Sequence, residues 1–398
     1  MAIKTLYCGA FRFPSGDAAA ARVYSVAQLF TARGLKVSFA GWESPQDKSE
    51  HYVFQGHDCY PMSEFREQPL GPLRRLIGFL FRGHRTLRWL YRSEPHQVVI
   101  AYNPPVFFSI GLFLLQKTQG FSLILDSTEW YECEHLPGGK FGVASIENWV
   151  RMNWIYPRFD NVICISRFLA NHYKGRNTVQ IPPLVTTEEI SLSPRKTDSE
   201  IRFLYAGNAG KKDLLTPFIT VLPRVGARLG RQVSLDVAGV TWDELVRQIR
   251  CEGSDPAVFT RLVRCHGRLP KERVRELYEK ADFSILFRED KRYAYAGFPT
   301  KAVESWSMGC PIILNQVGDI GDIAMHMEDA VIVRPDQMEE DLVNSLGALL
   351  VSDRLSLMRR NCLRKAQDIF TGPAYSKVFE EFLVKAGIQH RSNAESNQ

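Results

Sequence analysis

Neither of the two segments that read as leading strands is followed by a G-x-G-x-x-G fingerprint, which disfavours a nicotinamide-dependent dehydrogenase. Long apolar runs are also lacking. The longest, over 106–115, falls well short of the roughly 20 residues that a spanning helix needs. The eight cysteines are scattered, with no C-x-x-C pair, and Cys265-His266 has no second ligand pair at metal-site spacing. Reduced thiols and no metal site are expected. The opening residues Ala2 to Cys8 read as a first strand and not as a secretory leader, so a cytoplasmic protein is expected. Charge of one sign is not in large excess. A formal +6 suits anionic ligands or an anionic membrane surface, without singling out a nucleic-acid partner.

What is present is ample core material, 45% hydrophobic residues, arranged as short apolar strands alternating with helices. Strands are expected over 5–8, 35–40, 97–102, 122–125 and 161–165, with a helix over 18–33 ended by Gly34. Pro182-Pro183 and the polar run after Thr186 interrupt the pattern. It restarts at Ile201, with strands over 233–238, 262–265, 283–287, 311–314 and 330–333. This predicts an α/β protein with two Rossmann-like, doubly wound parallel sheets. The expected divisions are a first domain over 1–184, a linker over 185–200 and a second domain over 201–372. A final amphipathic helix over 373–390 packs back toward the first domain, and a disordered tail covers 391–398. Ligands are expected at the carboxyl ends of the strands, in a cleft between the two halves.

The most informative segment is Gly297-Phe298-Pro299-Thr300-Lys301-Ala302-Val303-Glu304. Pro299 reads as the first residue of a helix. The N–H groups of such a start suit a phosphate, and Glu304, within the first turns, can accept two hydroxyl hydrogen bonds. Phosphate plus a vicinal diol is what a sugar nucleotide presents.

Four other segments sit where strands give way to loops. Gly9 to Asp17 leads into the first helix, and Gly16 lets backbone approach a ligand; Asp17 reads either as that helix's cap or as a carboxylate of the cleft. Asp126 to Glu132 places three carboxylates among aromatics, with Asp126 and Glu129 as candidate acid/base or hydroxyl-binding groups. Tyr205 to Asp213 offers Gly207, Asn208 and the phosphate-neutralising candidates Lys211 and Lys212. Phe287 to Gly297 is polar, basic and aromatic. Apart from these, residues 72–92 contain six arginines and no acid, with large apolar residues between them. They read either as a membrane-surface helix or as a core-packed helix with a basic outer face.

In combination these motifs resemble the GT-B glycosyltransferases, and within them the large retaining group 1 (family 4) that uses nucleotide-sugar donors without a metal, of the bacterial surface-polysaccharide type. The resemblance runs from Thr5 to about Gly387 and is strongest over 201–333. It implies a sugar moved from a nucleotide-diphosphate donor to a carbohydrate, lipid-linked or small-molecule acceptor, with no cofactor. Pro14 to Asp17 with Arg22 matches the family's glycine-rich loop. The segment from Asp126 to Trp130 makes Glu129 the candidate near the reacting carbon, and Cys164-Ile165-Ser166 matches a strand-end signature. By the same likeness Gly207, Asn208 and Lys212 hold the donor phosphates, Glu304 takes the ribose hydroxyls, and backbone near Pro299, Thr300 and Lys301 holds the diphosphate. The chain departs from the pattern in three places. Ala296 stands where the family's first glutamate falls, with Asp290 as a replacement. Ala206 stands where an arginine often accompanies the phosphate lysine, with Arg288 or Lys211 as substitutes. No histidine follows Asp126 where many relatives have one. The resulting catalytic candidates are Glu129, Asp126, Lys212 and Asp17. The other readings are a sugar-nucleotide 2-epimerase and a non-catalytic sugar-nucleotide binder. Peripheral attachment to the inner face of the membrane is what the first of the two readings of 72–92 implies.

Overall fold

Eight strands form the first sheet: β1 (Lys4–Gly9), β2 (Lys36–Gly41), β3 (Tyr52–Phe54), β4 (His57–Cys59), β5 (Val98–Tyr102), β6 (Ser122–Ser127), β7 (Asn161–Cys164) and β8 (Asn177–Gln180). Their order is β3-β4-β2-β1-β5-β6-β7-β8, parallel except for the β3–β4 hairpin. A second, all-parallel sheet contains β9 (Glu200–Ala206), β10 (Gln232–Ala238), β11 (Val263–Gly267), β12 (Phe283–Leu286), β13 (Ile312–Leu314) and β14 (Ala330–Ile332), in the order β11-β10-β9-β12-β13-β14. The computed structural model describes residues 2–14, 17–45, 50–65, 71–190, 200–207, 212–350 and 354–388. The sequence-based expectations for Gly16, Asn208, Lys211, residues 191–199 and the tail over 391–398 fall outside these.

The chain divides into two compact units, one of residues 1–184 with 372–398 and one of 185–371. In the first, β1 lies between β2 and β5, and the chain reverses its direction of travel across the sheet there. In the second, β9 lies between β10 and β12 and plays the same part. Such a switch leaves two loops diverging at the carboxyl ends of neighbouring strands, which is where an open α/β sheet has room for a ligand. The central strands are buried on both faces, as in Val98–Tyr102 and Phe283–Leu286. That is why they read as continuous apolar runs.

Three strands were not expected. β3 and β4 have three residues each, and β8 buries Val179 alone, so none shows a period. β6 runs two residues further than its apolar run, because Asp126 and Ser127 continue the pairing opposite Ile163 and Cys164 of β7.

The residues over 72–92 form two helices, Pro72–Leu80 and His84–Arg92, and not the single one considered from sequence. The break is at Gly83, whose φ of 97° favours glycine, and where a Cβ would lie 2.6 Å from the Phe108 ring. The first helix is almost wholly exposed, with Leu73, Ile77 and Leu80 facing water. The second buries Thr86 and Leu90.

The closing helix Ser376–Lys385 belongs to the first unit. Phe379 is fully buried edge-to-face on Phe30 at 4.8 Å, with the Arg33 guanidinium 5.1 Å from its ring, and Asn177 Nδ2 donates to the Phe382 carbonyl at 3.0 Å. Phe379→Ala is expected to destabilise the first unit by about 3–5 kcal/mol, and Phe379→Leu by less. Urea unfolding followed by circular dichroism measures both; a cost below about 1 kcal/mol for the alanine variant would show that the helix is not part of the unit's core.

Candidate functional site

At the switch point of the second sheet, β9 is followed by Gly207, whose φ is 150°. A Cβ there would lie 2.0 Å from Lys301 Cε, so only glycine lets the lysine cross the strand end. Lys301 stands in the first turn of the helix Thr300–Ser307. Pro299 occupies the cap position, one residue earlier than expected, and no side chain caps the helix. The Lys301 ammonium donates to the Tyr205 hydroxyl at 2.8 Å and pairs with the carboxylate of Asp213.

Arg288 reaches the same carboxylate from the loop after β12, its Nε 3.1 Å from Asp213 Oδ1. Its backbone is fixed by Asn315: the Arg288 N–H donates to Asn315 Oδ1 at 2.9 Å, and Asn315 Nδ2 donates to the Arg288 carbonyl at 2.8 Å. Beside it the Tyr293 hydroxyl donates to the Lys212 carbonyl at 2.7 Å, and the Leu214 N–H to the Phe287 carbonyl at 2.8 Å. The loop bearing Lys212, itself half-buried, is thereby held against the loop bearing Arg288.

Glu304 lies one turn along the helix from Thr300, half-buried. Its carboxylate makes no hydrogen bond to any described residue. Burial raises its pKa; Lys271 and Lys301 pull the other way, and Glu189 adds to the rise. Lys271, from the helix Lys271–Lys280, is itself paired with Glu189 at 2.8 Å. A desolvated acid with open acceptor positions is suited to take hydroxyl donors. The structure thus gathers Gly207, Lys212, Arg288, Pro299, Thr300, Lys301 and Glu304 in the second unit. Asp290 accepts a hydrogen bond from the Tyr295 hydroxyl at 2.6 Å, and Ala296 is fully buried.

The first-unit candidates separate into two kinds. Asp17 caps the helix Ala18–Thr31: Oδ1 accepts from the Ala20 N–H at 2.9 Å and Oδ2 from the Arg12 N–H at 3.2 Å. Asp126 is within β6 and fully buried, not in an open loop. It accepts from Tyr7 at 2.5 Å and pairs with buried Arg22 at 3.1 Å. Arg22 also donates to the carbonyls of Ile181 and Pro182 at 2.6 and 2.8 Å. Asp17 thus makes the cap that was one of its two readings from sequence, and Asp126 is held within the unit by Tyr7 and Arg22 and not presented in an open loop. Glu129 is half-buried at a strand's carboxyl side. It adds to the rise that burial gives the pKa of buried Tyr102, and for Arg151, where burial pulls the other way, it acts with Tyr156 and Glu147 to hold the pKa up.

Sequence reasoning passed over Asp213, Tyr205, Lys271 and Glu189. Asp213 sat beside two lysines in a polar loop, which reads as solvated. The one available signal was that this loop directly follows a strand carrying an unexpected Tyr205. Among the described residues no three His, Cys, Asp or Glu side chains group closely enough to hold a metal ion, and no helix is long and apolar enough to cross a membrane.

Two parallel-sheet α/β units of this kind define the GT-B class, and solved structures agree. The chain matches a sucrose-phosphate synthase from Thermosynechococcus elongatus with a TM-score of 0.74, at 13% identity over 96% of this chain and 98% of that one. It matches the Anabaena protein HepE, solved in complex with UDP and glucose, with a TM-score of 0.66 at 14% identity over 96% and 100%. WaaG, a glycosyltransferase involved in lipopolysaccharide biosynthesis, matches with a TM-score of 0.63 at 12% identity over 94% and 99%. Residues 200–352 match the family model described as Glycosyl transferases group 1, so the second unit is a group 1 glycosyltransferase domain. No curated protein sequence matches significantly.

A carboxyl whose pKa is raised by folding contributes stability at low pH and loses it as pH rises through the raised value. Glu304→Gln, which cannot ionise, is therefore expected to melt higher than the parent at about pH 7.5 and level with it at about pH 3.5, below the ordinary glutamate pKa of about 4.3. A constant difference in melting temperature across that range would show that the acid is not desolvated in the fold.

Proposed function

We propose that the protein transfers a sugar from a nucleotide-diphosphate donor to an acceptor, in polysaccharide or glycoconjugate biosynthesis, with retention of configuration and without a metal. The observation that carries this reading is the convergence at the second unit's switch point. Lys301, Arg288 and the uncapped start of the helix Thr300–Ser307 provide positive charge and N–H donors, and Glu304, unpaired among the described residues, provides the hydroxyl acceptor. Transfer makes a diphosphate leave, and its growing negative charge is the chemical problem to be met. Fixed cations and helix-end amides meet it without reorganising during the reaction. That is the support for a metal-free reaction. Retention rests on the group 1 likeness. The acceptor is a carbohydrate, a lipid-linked species or a small molecule.

The test is a thermal-shift screen with UDP-, GDP-, ADP- and dTDP-sugars, since a ligand that binds the folded chain raises its melting temperature. Transfer assays with the stabilising donor then follow. Glu304→Ala is expected to weaken that donor's binding by one to two orders of magnitude, about 2 kcal/mol for lost charge-assisted hydrogen bonds; unchanged binding by calorimetry would remove Glu304 from the site. Lys212→Ala should lower kcat more than it raises KM. Donor that isomerises without an acceptor would point to the epimerase instead, and binding with no turnover to a non-catalytic binder.

We also propose peripheral attachment to the cytoplasmic face of a membrane through residues 72–92. The support is the exposed helix Pro72–Leu80, where Leu73, Ile77 and Leu80 stand beside Arg74 and Arg75, all facing water. Each arginine at an anionic lipid surface is worth about 1 kcal/mol. Co-sedimentation with phosphatidylglycerol vesicles is expected to fall by at least tenfold in the double variant Arg74→Glu, Arg75→Glu, about 1.4 kcal/mol or more. Sedimentation equal to the parent's would exclude this helix as the anchor.

A further inference from the structure

Asp213 has no role in the reading above, yet it is the point on which that site closes. Its side chain is 3% exposed. Oδ1 accepts from Arg288 Nε at 3.1 Å, and Oδ2 accepts from the Tyr205 hydroxyl at 2.8 Å and pairs with the Lys301 ammonium. Tyr205 completes the circuit, since it also accepts from Lys301, whose ammonium lies 4.3 Å from the centre of its ring. Three side chains from three separate stretches of chain therefore meet at one carboxylate. A buried ion pair adds little to stability against an apolar replacement, but it fixes geometry. Here one negative charge serves two cations and leaves the group with a surplus positive charge at the carboxyl end of β9.

We propose that Asp213 is a positioning residue for the donor diphosphate: it holds Lys301 and Arg288 together at the place where the phosphates bind. The inference rests on the donor reading given above. Its chemical content concerns the Lys301 proton. Burial, and behind it Arg288, lower the Lys301 pKa, while Asp213 and Glu304 support the charged form. The other polar groups facing the lysine are the Tyr205 hydroxyl and the Tyr278 hydroxyl, which donates to the Lys301 carbonyl; Lys271 lies beyond Glu304. With Asp213 neutral, Glu304 is the one anion left among the described residues to support the ammonium. A lysine that has lost its proton no longer offsets phosphate charge.

The experiment measures binding by calorimetry, from about pH 6 to about pH 9, of whichever of UDP, GDP and ADP stabilises the parent most. The parent's affinity is expected to be nearly flat over this range. Asp213→Asn should weaken binding about tenfold at the acid end and about a hundredfold at the alkaline end. Lys301→Ala should weaken it without adding a pH dependence. In the double variant Asp213→Asn, Lys301→Arg, whose guanidinium keeps its charge, the alkaline loss should vanish. A purely structural role for Asp213 predicts a lower melting temperature and a pH-independent loss, and that result overturns the proposal while leaving the donor reading intact. Tighter binding by Asp213→Asn, which would mark Asp213 as a competitor of the phosphates, also overturns it. Failure of the parent to bind any of the three nucleotides overturns the donor reading and this proposal with it. If Asp213→Asn does not fold, Asp213→Glu decides: it keeps the charge but displaces the meeting point, so a pH-flat loss of about tenfold is expected, and parental affinity refutes the positioning role.

Discussion

Parallel strand pairing is the constraint from which the rest of this molecule follows. Two parallel neighbours cannot be joined by a tight turn, so every link must return along the sheet, usually as a helix. The carboxyl ends of the strands in a unit, β3 of the first apart, therefore lie along one edge. In the second unit that edge brings together Gly207 after β9, Arg288 after β12 and the helix Thr300–Ser307 before β13. The first unit obeys the same rule with Gly9 at the end of β1 and Asn103 after β5. A Cβ on Gly9 would lie 2.5 Å from the Tyr102 carbonyl oxygen, so the two strand ends are as close as backbone allows.

The two units use buried charge to different ends. In the first, Asp126 has a single cation, and the remaining donors of Arg22 are spent on the carbonyls of Ile181 and Pro182. That group is buried within the unit; it ties β6 and the first helix to the stretch where the chain leaves the unit. In the second, Asp213 is shared between Lys301 and Arg288, and the account does not balance. Burial disfavours the Asp213 carboxylate, but its two cations outweigh that and hold its pKa below the ordinary range. Uncompensated charge inside a fold is expensive unless something outside completes it. A charged ligand does so, and this separates a site from a brace.

Most of the fold was legible because double burial leaves a plain trace. Strands such as Val98–Tyr102 are apolar throughout, and the helices between them are periodic. β3, β4 and β8 were not legible, since short edge strands bury too little to show a pattern. The end of β6 was misjudged for a related reason: Asp126 is polar, and only its tertiary partners, Tyr7 and Arg22, make burial tolerable. At the site, Lys301 and Glu304 could be read because a helix start carries its own chemistry. Asp213 could not, because its partners lie 75 and 88 residues away and no local pattern reports on them.

The closing helix gives the chain an unusual order of assembly. Residues 372–398 complete a unit whose other part ends at Leu184, and the whole second unit is spelled out between them. During synthesis, domains form largely in the order in which they emerge. Here the earlier unit must wait, with the face around Phe30 uncovered, until 187 further residues have been made. A ribosome that stops anywhere in that interval releases a product with a greasy, unfinished flank, however well the later unit has folded. Chaperones and proteases recognise such a flank, so the burial of Phe30 by Phe379 is a contact that a truncated product lacks.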